Sequence, residues 1–107
     1  MNTDLTQAFR HRLKTRNLFR TYTVQVDFEA IESEELIPSQ IAIQMARPED
    51  VNKDIIDWSK QYIWSFSMDE LKLGDEIEFQ NLRFKIVELH NASLYGYWKG
   101  ICEEVKE

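Results

Sequence analysis

The chain has little of the residues that form disulfides, bind zinc or break up secondary structure. Its 107 residues include one cysteine, three glycines and two prolines. A single thiol excludes an internal disulfide and a cysteine-based zinc site, so a reducing compartment suits the protein. No apolar run approaches the roughly 20 residues that span a bilayer, and no signal-peptide pattern opens the chain. We therefore expect a soluble protein that is intracellular when synthesised and has no membrane partner.

What the chain does contain is enough apolar material for one folded domain. Hydrophobic residues make up 43% of it and aromatic residues 12%, which argues against a disordered chain. The length suits a single domain with a modest core rather than two domains.

Charge is distributed unevenly along the chain. The formal net charge is −6, yet the first 20 residues are basic and everything after them is strongly acidic. The basic residues of this segment are Arg10, Arg12, Lys14, Arg16 and Arg20. Such a segment can contact phosphates or an acidic protein surface, and the alternative interpretation is a solvated helix face.

The spacing of apolar residues near the start predicts a helix. Leu5, Phe9 and Leu13 recur every four residues within residues 4–17, which is the period of an amphipathic helix. Its apolar stripe is narrow, so we expect the helix to lie against a body or a neighbouring subunit. The predicted organisation is an N-terminal basic helix over residues 1–19 and a small β-barrel domain over residues 20–107.

The rest of the chain alternates apolar and polar residues as β-strands do. The alternation predicts strands over residues 22–28, 41–45, 58–68, 75–79, 82–87 and 95–105. Pro48 predicts a short helical turn up to about Ile56, Gln80-Asn81 a tight hairpin, and residues 91–93 a loop. Residues 29–39 are predicted to form a long acidic loop or a splayed hairpin tip, which carries Glu29, Glu32, Glu34 and Glu35. The predicted fold class is mainly β: a small antiparallel β-barrel or sandwich with an N-terminal helix and a long acidic loop.

Large aromatic residues stand at even positions of the third predicted strand. Trp58, Tyr62, Trp64 and Phe66 follow one another there, with polar residues between most of them. Because aromatic side chains bury large areas, we interpret this stripe as core packing, in preference to a platform for stacking bases.

The chain contains no recognisable catalytic or metal-binding arrangement. His11 and His90 fall on different predicted elements. The alternation places Cys102 on the less apolar face of its strand, with no oxyanion site or orienting group. An acidic cluster lacks the ligand spacing of a calcium loop; it consists of Asp69, Glu70, Asp75, Glu76 and Glu78. We expect no enzymatic activity, no metal and no cofactor, so that function resides in surfaces and assembly.

The order of these segments resembles the head-completion, or stopper, proteins in the neck of tailed bacteriophages. The resemblance covers about residues 20–105. It rests on the segments 43–50, 62–66, 73–79, 82–87 and 95–98. Its most specific part is the turn at Gly74-Asp75, the hairpin that follows and the aromatic final strand. The turn at Gln80-Asn81 and the basic N-terminus depart from the family pattern.

The resemblance implies a structural virion protein that is assembled in the host cytoplasm. Such proteins form a ring of identical subunits below the portal and adaptor, help to retain packaged DNA, and dock the tail. DNA would pass through the lumen without sequence-specific contacts. Residues 29–39 would occupy the position of a loop that projects into the channel, with its glutamates lining the lumen.

Two alternatives to a stopper remain open. One is a tail-terminator or adaptor protein of the same virion region, which would share the small size and ring assembly. The other belongs to a different class: a free small-barrel module that binds single-stranded nucleic acid or a peptide through its aromatic strand or basic helix.

Overall fold

Six antiparallel strands close into a barrel, in the order β1-β2-β3-β6-β5-β4. The computed structural model describes residues 13–92 and 96–106. The strands are β1 Lys14–Val26, β2 Glu29–Met45, β3 Tyr62–Ser67, β4 Glu76–Phe79, β5 Leu82–Ala92 and β6 Tyr97–Glu104, with a 3-10 turn at Pro48–Asp50. The prediction of a mainly β, antiparallel fold is confirmed, and of the two predicted forms it is the barrel. Within the described ranges, no helix is long and apolar enough to cross a membrane.

The barrel interior is filled by the inward-facing residues of all six strands. The strands close where Leu18 and Phe19 of β1 pair with Ile77 and Glu76 of β4. Since alternate residues of a strand point to one side, the core residues of each strand lie on its inward-facing side, and Leu71 joins them from the segment between β3 and β4. The buried core consists of Leu18, Ile41, Ile63, Leu71, Ile77, Phe84, Ile86 and Cys102.

The aromatic stripe of β3 lies on the outside of the barrel, under a covering segment. Tyr62 packs with Val51 and Ile101, while Phe66 packs with Ala42 and Tyr97. The segment between β2 and β3 lies over this outer face, so β3 and β6 are buried on both sides. The predicted packing role of the stripe is confirmed for Tyr62 and Phe66. The prediction of a strand that starts at Trp58 was wrong, because β3 begins at Tyr62 and Trp58 is 77% exposed.

The first two strands form one long hairpin, half of which projects beyond the barrel. They pair without interruption from Lys14 with Ile41 to Val26 with Glu29. Among residues 13–92 and 96–106, no third strand pairs with residues 20–35, which we call the projecting hairpin. It accounts for the elongated shape, 56 × 30 × 25 Å.

The predicted acidic loop was wrong, because residues 29–39 belong to β2. Its glutamates are compatible with a strand because the ribbon is exposed to water on both faces, so that a charge there stays solvated. The cross-strand partners of Glu32 and Glu34 are Thr23 and Thr21, and threonine favours strands.

The predicted helix was also wrong where the structure describes it. Lys14 and the three residues after it start β1, and residues 1–12 lie outside the described residues. A stripe of three apolar residues is a weak helix signal, and pairing along 13 residues with β2 outweighs it. Consequently β1 runs without a break through the predicted boundary at residues 19 and 20.

The predicted turns agree with the structure better than the predicted strand ends do. Gln80 and Asn81 have φ of 53° and 65° and join β4 to β5 as a two-residue hairpin, as predicted. The helical turn that begins at Pro48 ends at Asp50, short of the predicted Ile56. Residues 91 and 92 extend β5 instead of forming a loop, and residue 93 lies outside the described part.

Candidate functional site

The projecting hairpin has two chemically different faces. One face is polar and acidic: Thr21 lies opposite Glu34, and Thr23 opposite Glu32. Residues directly opposite one another share a face, and neighbours along a strand point to opposite faces. The same register therefore assigns the remaining residues of the hairpin to the other face. We call the first the acidic face of the hairpin.

The opposite face of the hairpin carries its apolar residues in the middle, between the charged residues Arg20 and Glu35 at the root and Glu29 at the tip; we call it the apolar face. It carries Tyr22, Val24, Val26 and Ile31, each between 37% and 46% exposed, and Val24 lies directly opposite Ile31. This apolar face has no covering element among the residues described. An apolar surface of this kind on a protruding element is typical of a contact with another protein.

The register divides the four glutamates that were predicted to line a channel. Glu32 and Glu34 share the acidic face. Glu35 lies opposite Arg20 and Glu29 opposite Val26, so both belong to the apolar face. The sequence prediction treated the four as one loop and could not separate them.

The hairpin ends in an exposed aromatic residue with an unusual backbone. Asp27 and Phe28 form the two-residue turn, with φ of 48° and 70°. Such turns favour asparagine or aspartate followed by glycine, because both positions are left-handed. Phe28 therefore occupies a position that suits glycine, and its side chain is fully exposed. Strained residues of this kind are frequently functional.

Two arginines fix the root of the hairpin to the barrel. Arg20 donates to both carboxylate oxygens of Asp75, at 3.0 Å and 2.7 Å. The carboxylate is buried and also accepts the backbone N–H of Lys72 at 2.9 Å. The hydrogen bond to Asp75 raises the pKa of Arg20 against the opposing effect of desolvation.

Arg83 makes the second attachment, from β5. It donates to both carboxylate oxygens of Glu34, at 2.8 Å and 3.1 Å, and its guanidinium lies 3.7 Å from the centre of the Phe19 ring. The hydrogen bond to Glu34 raises the pKa of Arg83. With these contacts the hairpin is a braced extension of the barrel.

The predicted basic segment is not gathered into one patch in the part that the structure describes. Arg10 and Arg12 lie outside the described residues, and Lys14 is exposed at the start of β1. Arg16 donates from Nε to the Ile41 carbonyl at 3.1 Å and lies over the Phe79 ring; burial lowers its pKa. Arg20 is held by Asp75, so Arg16 and Arg20 serve contacts within the subunit.

The aromatic stripe offers little room for a stacked base. The ammonium of Lys99 lies 4.2 Å from the centre of the Trp64 ring and 5.7 Å from that of Phe66. The Trp64 indole donates to Asp50, and His90 lies against its ring at 5.6 Å. These neighbours occupy the positions that a nucleotide would take.

Sequence analysis missed an apolar groove at the end of the barrel remote from the hairpin tip. The groove has a volume of about 250 Å³. We call it the end groove; its principal lining residues are Met45, Ala46, Arg47, Pro48, Ile56 and Trp58. The one sequence signal was an aromatic residue, Trp58, between the polar residues Asp57 and Ser59. The strand prediction assigned Trp58 to the third predicted strand instead.

Hydrogen bonds hold the end groove open. The Tyr62 hydroxyl accepts the backbone N–H of Asp57 at 2.7 Å and donates to Glu103, also at 2.7 Å. On the other rim, the Asp50 carboxylate accepts the Arg47 N–H at 3.0 Å and the Trp64 indole N–H at 3.1 Å. These two bonds lower the pKa of Asp50. The groove is therefore preformed.

The only cysteine lies in the barrel core, so the prediction that its face, shared with Trp98 and Gly100, is the less apolar one of its strand did not identify the side that is buried. Cys102 is fully buried, and burial raises its pKa to about 12. Its polar neighbour is the Ser65 hydroxyl at 3.4 Å, whereas His90 contacts Glu88 and Trp64 outside the barrel. No group of three potential metal ligands occurs within residues 13–92 and 96–106.

Comparisons with known proteins provide no functional assignment, so the function is inferred from these surfaces. No protein-family model matches the chain, and no significant match is found among curated proteins. The fold and its surfaces define a closed six-stranded β-barrel with a braced, two-faced hairpin and a separate apolar groove.

Proposed function

We propose that this protein is a structural component of a tailed-phage neck. Its subunits form a ring at the head–tail junction, help to retain packaged DNA and dock the tail. The observation that carries the proposal is the division of the projecting hairpin into an acidic face and an apolar face. A subunit that lines a DNA conduit needs one surface for the lumen and another for its neighbours.

The acidic face suits the wall of a DNA channel. DNA carries one negative charge per about 1.7 Å of its axis, so Glu32 would repel it, whereas the charge of Glu34 is offset by Arg83. Arg83 holds Glu34 in place, whereas Glu32 makes no ion pair with any described residue. A repulsive wall lets DNA move past without binding, which suits a conduit that closes and later releases its contents.

The apolar surfaces suit assembly into a ring. The apolar face of the hairpin and the end groove are two different surfaces of one subunit. Contacts between different surfaces of identical subunits are heterologous, and they generate rings when the rotation closes. Portal, adaptor and tail proteins would then bind the two rims of the ring. An adaptor or tail-terminator role would use the same surfaces with different neighbours.

The test uses the purified protein and DNA-filled, tailless heads of the phage that encodes it. We expect negative-stain imaging to show added density at the portal vertex, and DNA in these heads to become more resistant to leakage. A protein that ignores heads but binds oligonucleotides in a salt-dependent manner would instead be the small binding module.

Charge reversal tests the acidic face separately. Glu32→Lys would place a cation against the passing DNA, so we expect heads completed with this variant to release DNA more slowly. Asp54→Lys makes the same charge change on an exposed residue of the segment between β2 and β3 and serves as the matched control. Equal release rates for the two variants would argue against a lumenal position of this face.

A further inference from the structure

The hairpin tip and the end groove are complementary in shape and chemistry. The tip presents a fully exposed phenyl ring, that of Phe28, on a turn that favours glycine. The groove presents an apolar depression of about 250 Å³. Cavities of about 150 Å³ already admit a benzene ring, so the groove has room for one aromatic side chain.

The charges around the two surfaces are complementary as well. Asp27 and Glu29 flank Phe28 in the sequence. Arg47 lines the groove, and its side chain is 79% exposed, with a long contact of 3.9 Å to Glu49 and an electrostatic interaction with Asp50. The groove is also lined by one further cation, Lys60, and one carboxylate, Asp57. A carboxylate at the tip that meets the exposed Arg47 guanidinium sets the orientation of docking more than its strength.

The tip cannot reach the groove of its own subunit. The two sites lie at opposite ends of β2, between Glu29 beside the tip and Met45 in the groove wall. This strand has 17 residues, which at about 3.3 Å per residue is roughly 50 Å. The root contacts of Arg20 and Arg83 also keep the hairpin pointing away from the barrel. A Phe28 side chain that fills this groove therefore belongs to another copy.

We propose that Phe28 of one copy inserts into the end groove of the next copy, between Met45, Ile56 and Trp58. This inference rests on the proposed ring, for which it supplies the contact between subunits. The contact joins the tip of one subunit to the opposite end of another, so it repeats head to tail. The apolar face next to the tip would be covered by the same neighbour, while the acidic face stays exposed to the lumen.

Photo-cross-linking from the tip tests the contact in the purified full-length protein. Benzoylphenylalanine replaces Phe28, and isotopically labelled protein is mixed with unlabelled protein so that links between copies are recognised by mass. We expect cross-links from the tip of one copy to residues 45–62 of another. Links to a different surface, links only within one chain, or no links at about 1 mM protein would overturn the proposal.

Variants that keep the fold test the same contact by sedimentation. Phe28→Gly suits the turn and removes the ring, and Trp58→Ala removes a groove wall; each should weaken self-association at least about tenfold, as expected for a central aromatic anchor. The matched control is Met68→Ser, which removes an exposed apolar side chain away from the hairpin tip and the groove. Weakening by the control as large as by Phe28→Gly would contradict the assignment.

A charge swap separates the docking contact from general effects on stability. Glu29→Arg and Arg47→Glu should each weaken self-association, and the two together in one chain should restore it, because each tip then meets the reversed charge of a neighbouring groove. Failure of the double variant to recover would refute the pairing.

Binding to heads without this cross-link would refute only the contact, whereas the cross-link without binding to heads would refute only the neck function.

Discussion

The buried carboxylate of Asp75 gives the most direct test of how the hairpin is held. We consider Asp75→Ala, which removes the acceptor of three hydrogen bonds: two from Arg20 and one from the Lys72 backbone. The side chain of Asp75 is 3% exposed and that of Arg20 is 22% exposed. The substitution therefore leaves a partly exposed guanidinium without its carboxylate partner and with one hydrogen bond, to the Glu70 carbonyl at 3.2 Å.

The magnitude follows from the exposure of the two partners. Breaking a fully buried ion pair costs about 3–5 kcal/mol, because the remaining charge loses its partner. Water reaches part of Arg20, which lowers the expected loss to about 3 kcal/mol in the free energy of unfolding. Asp75→Asn keeps an acceptor but loses the charge, so its loss should fall between zero and that of alanine.

The assay is equilibrium unfolding in urea, with Asp69→Ala as the control. The Asp69 carboxylate is exposed and accepts one backbone N–H, that of Gln40, at 3.0 Å. Its removal should cost about 1 kcal/mol. Hydrogen exchange in residues 20–35 should also accelerate for Asp75→Ala, because the root of the hairpin is loosened. A loss no larger than that of the Asp69 control would refute the reasoning.

Three further predictions concern single positions. A methyl group on Gly100 would lie 3.3 Å from both the Glu88 carbonyl and Ile86, so Gly100→Ala should cost about 1 kcal/mol in urea unfolding and the larger Gly100→Val more. The pairing of β5 with β6 has a bulge between Ile86 and Glu88, and unchanged stability would mean that the strand shifts freely there. Burial raises the pKa of Cys102 to about 12, so just above pH 9 the thiol ionises only in the unfolded state. The free energy of unfolding should therefore fall with rising pH, by up to about 1.4 kcal/mol per pH unit. Cys102→Ala should lack this decrease, and equal pH slopes for the two proteins would contradict the prediction. Phe28→Gly should raise the melting temperature, because glycine adopts the left-handed backbone without the strain of about 1 kcal/mol that a side chain adds. An unchanged or lower melting temperature would show that the turn is not strained.

Part of the fold was predictable because it depends on neighbours in the sequence. The hairpin between β4 and β5 follows from alternation on both sides of Gln80-Asn81, whose residues tolerate positive φ. The packing role of Tyr62 and Phe66 followed from their size and spacing. In each case the decisive contacts lie within a few residues or depend on side-chain volume alone.

The candidate surfaces were less accessible to sequence reasoning. The glutamates of residues 29–39 were recognised as one acidic segment, but their division between two faces depends on the register with β1. The end groove was missed because it forms only when the segment after Met45 returns to contact Tyr62. Its hydrogen bonds join residues whose proximity no local pattern reveals.

The sequence by itself determined the class of fold, the antiparallel alternation and the uneven charge. These properties depend on composition and short-range periodicity, which are the same whichever strands pair with one another. Only the tertiary structure decided that residues 14–17 extend a strand, that the acidic segment is half of a ribbon, and that Cys102 faces the core. The reason is that pairing between β1 and β2, and the closure of β1 on β4, join residues up to about sixty positions apart, and such long-range contacts override weak local preferences.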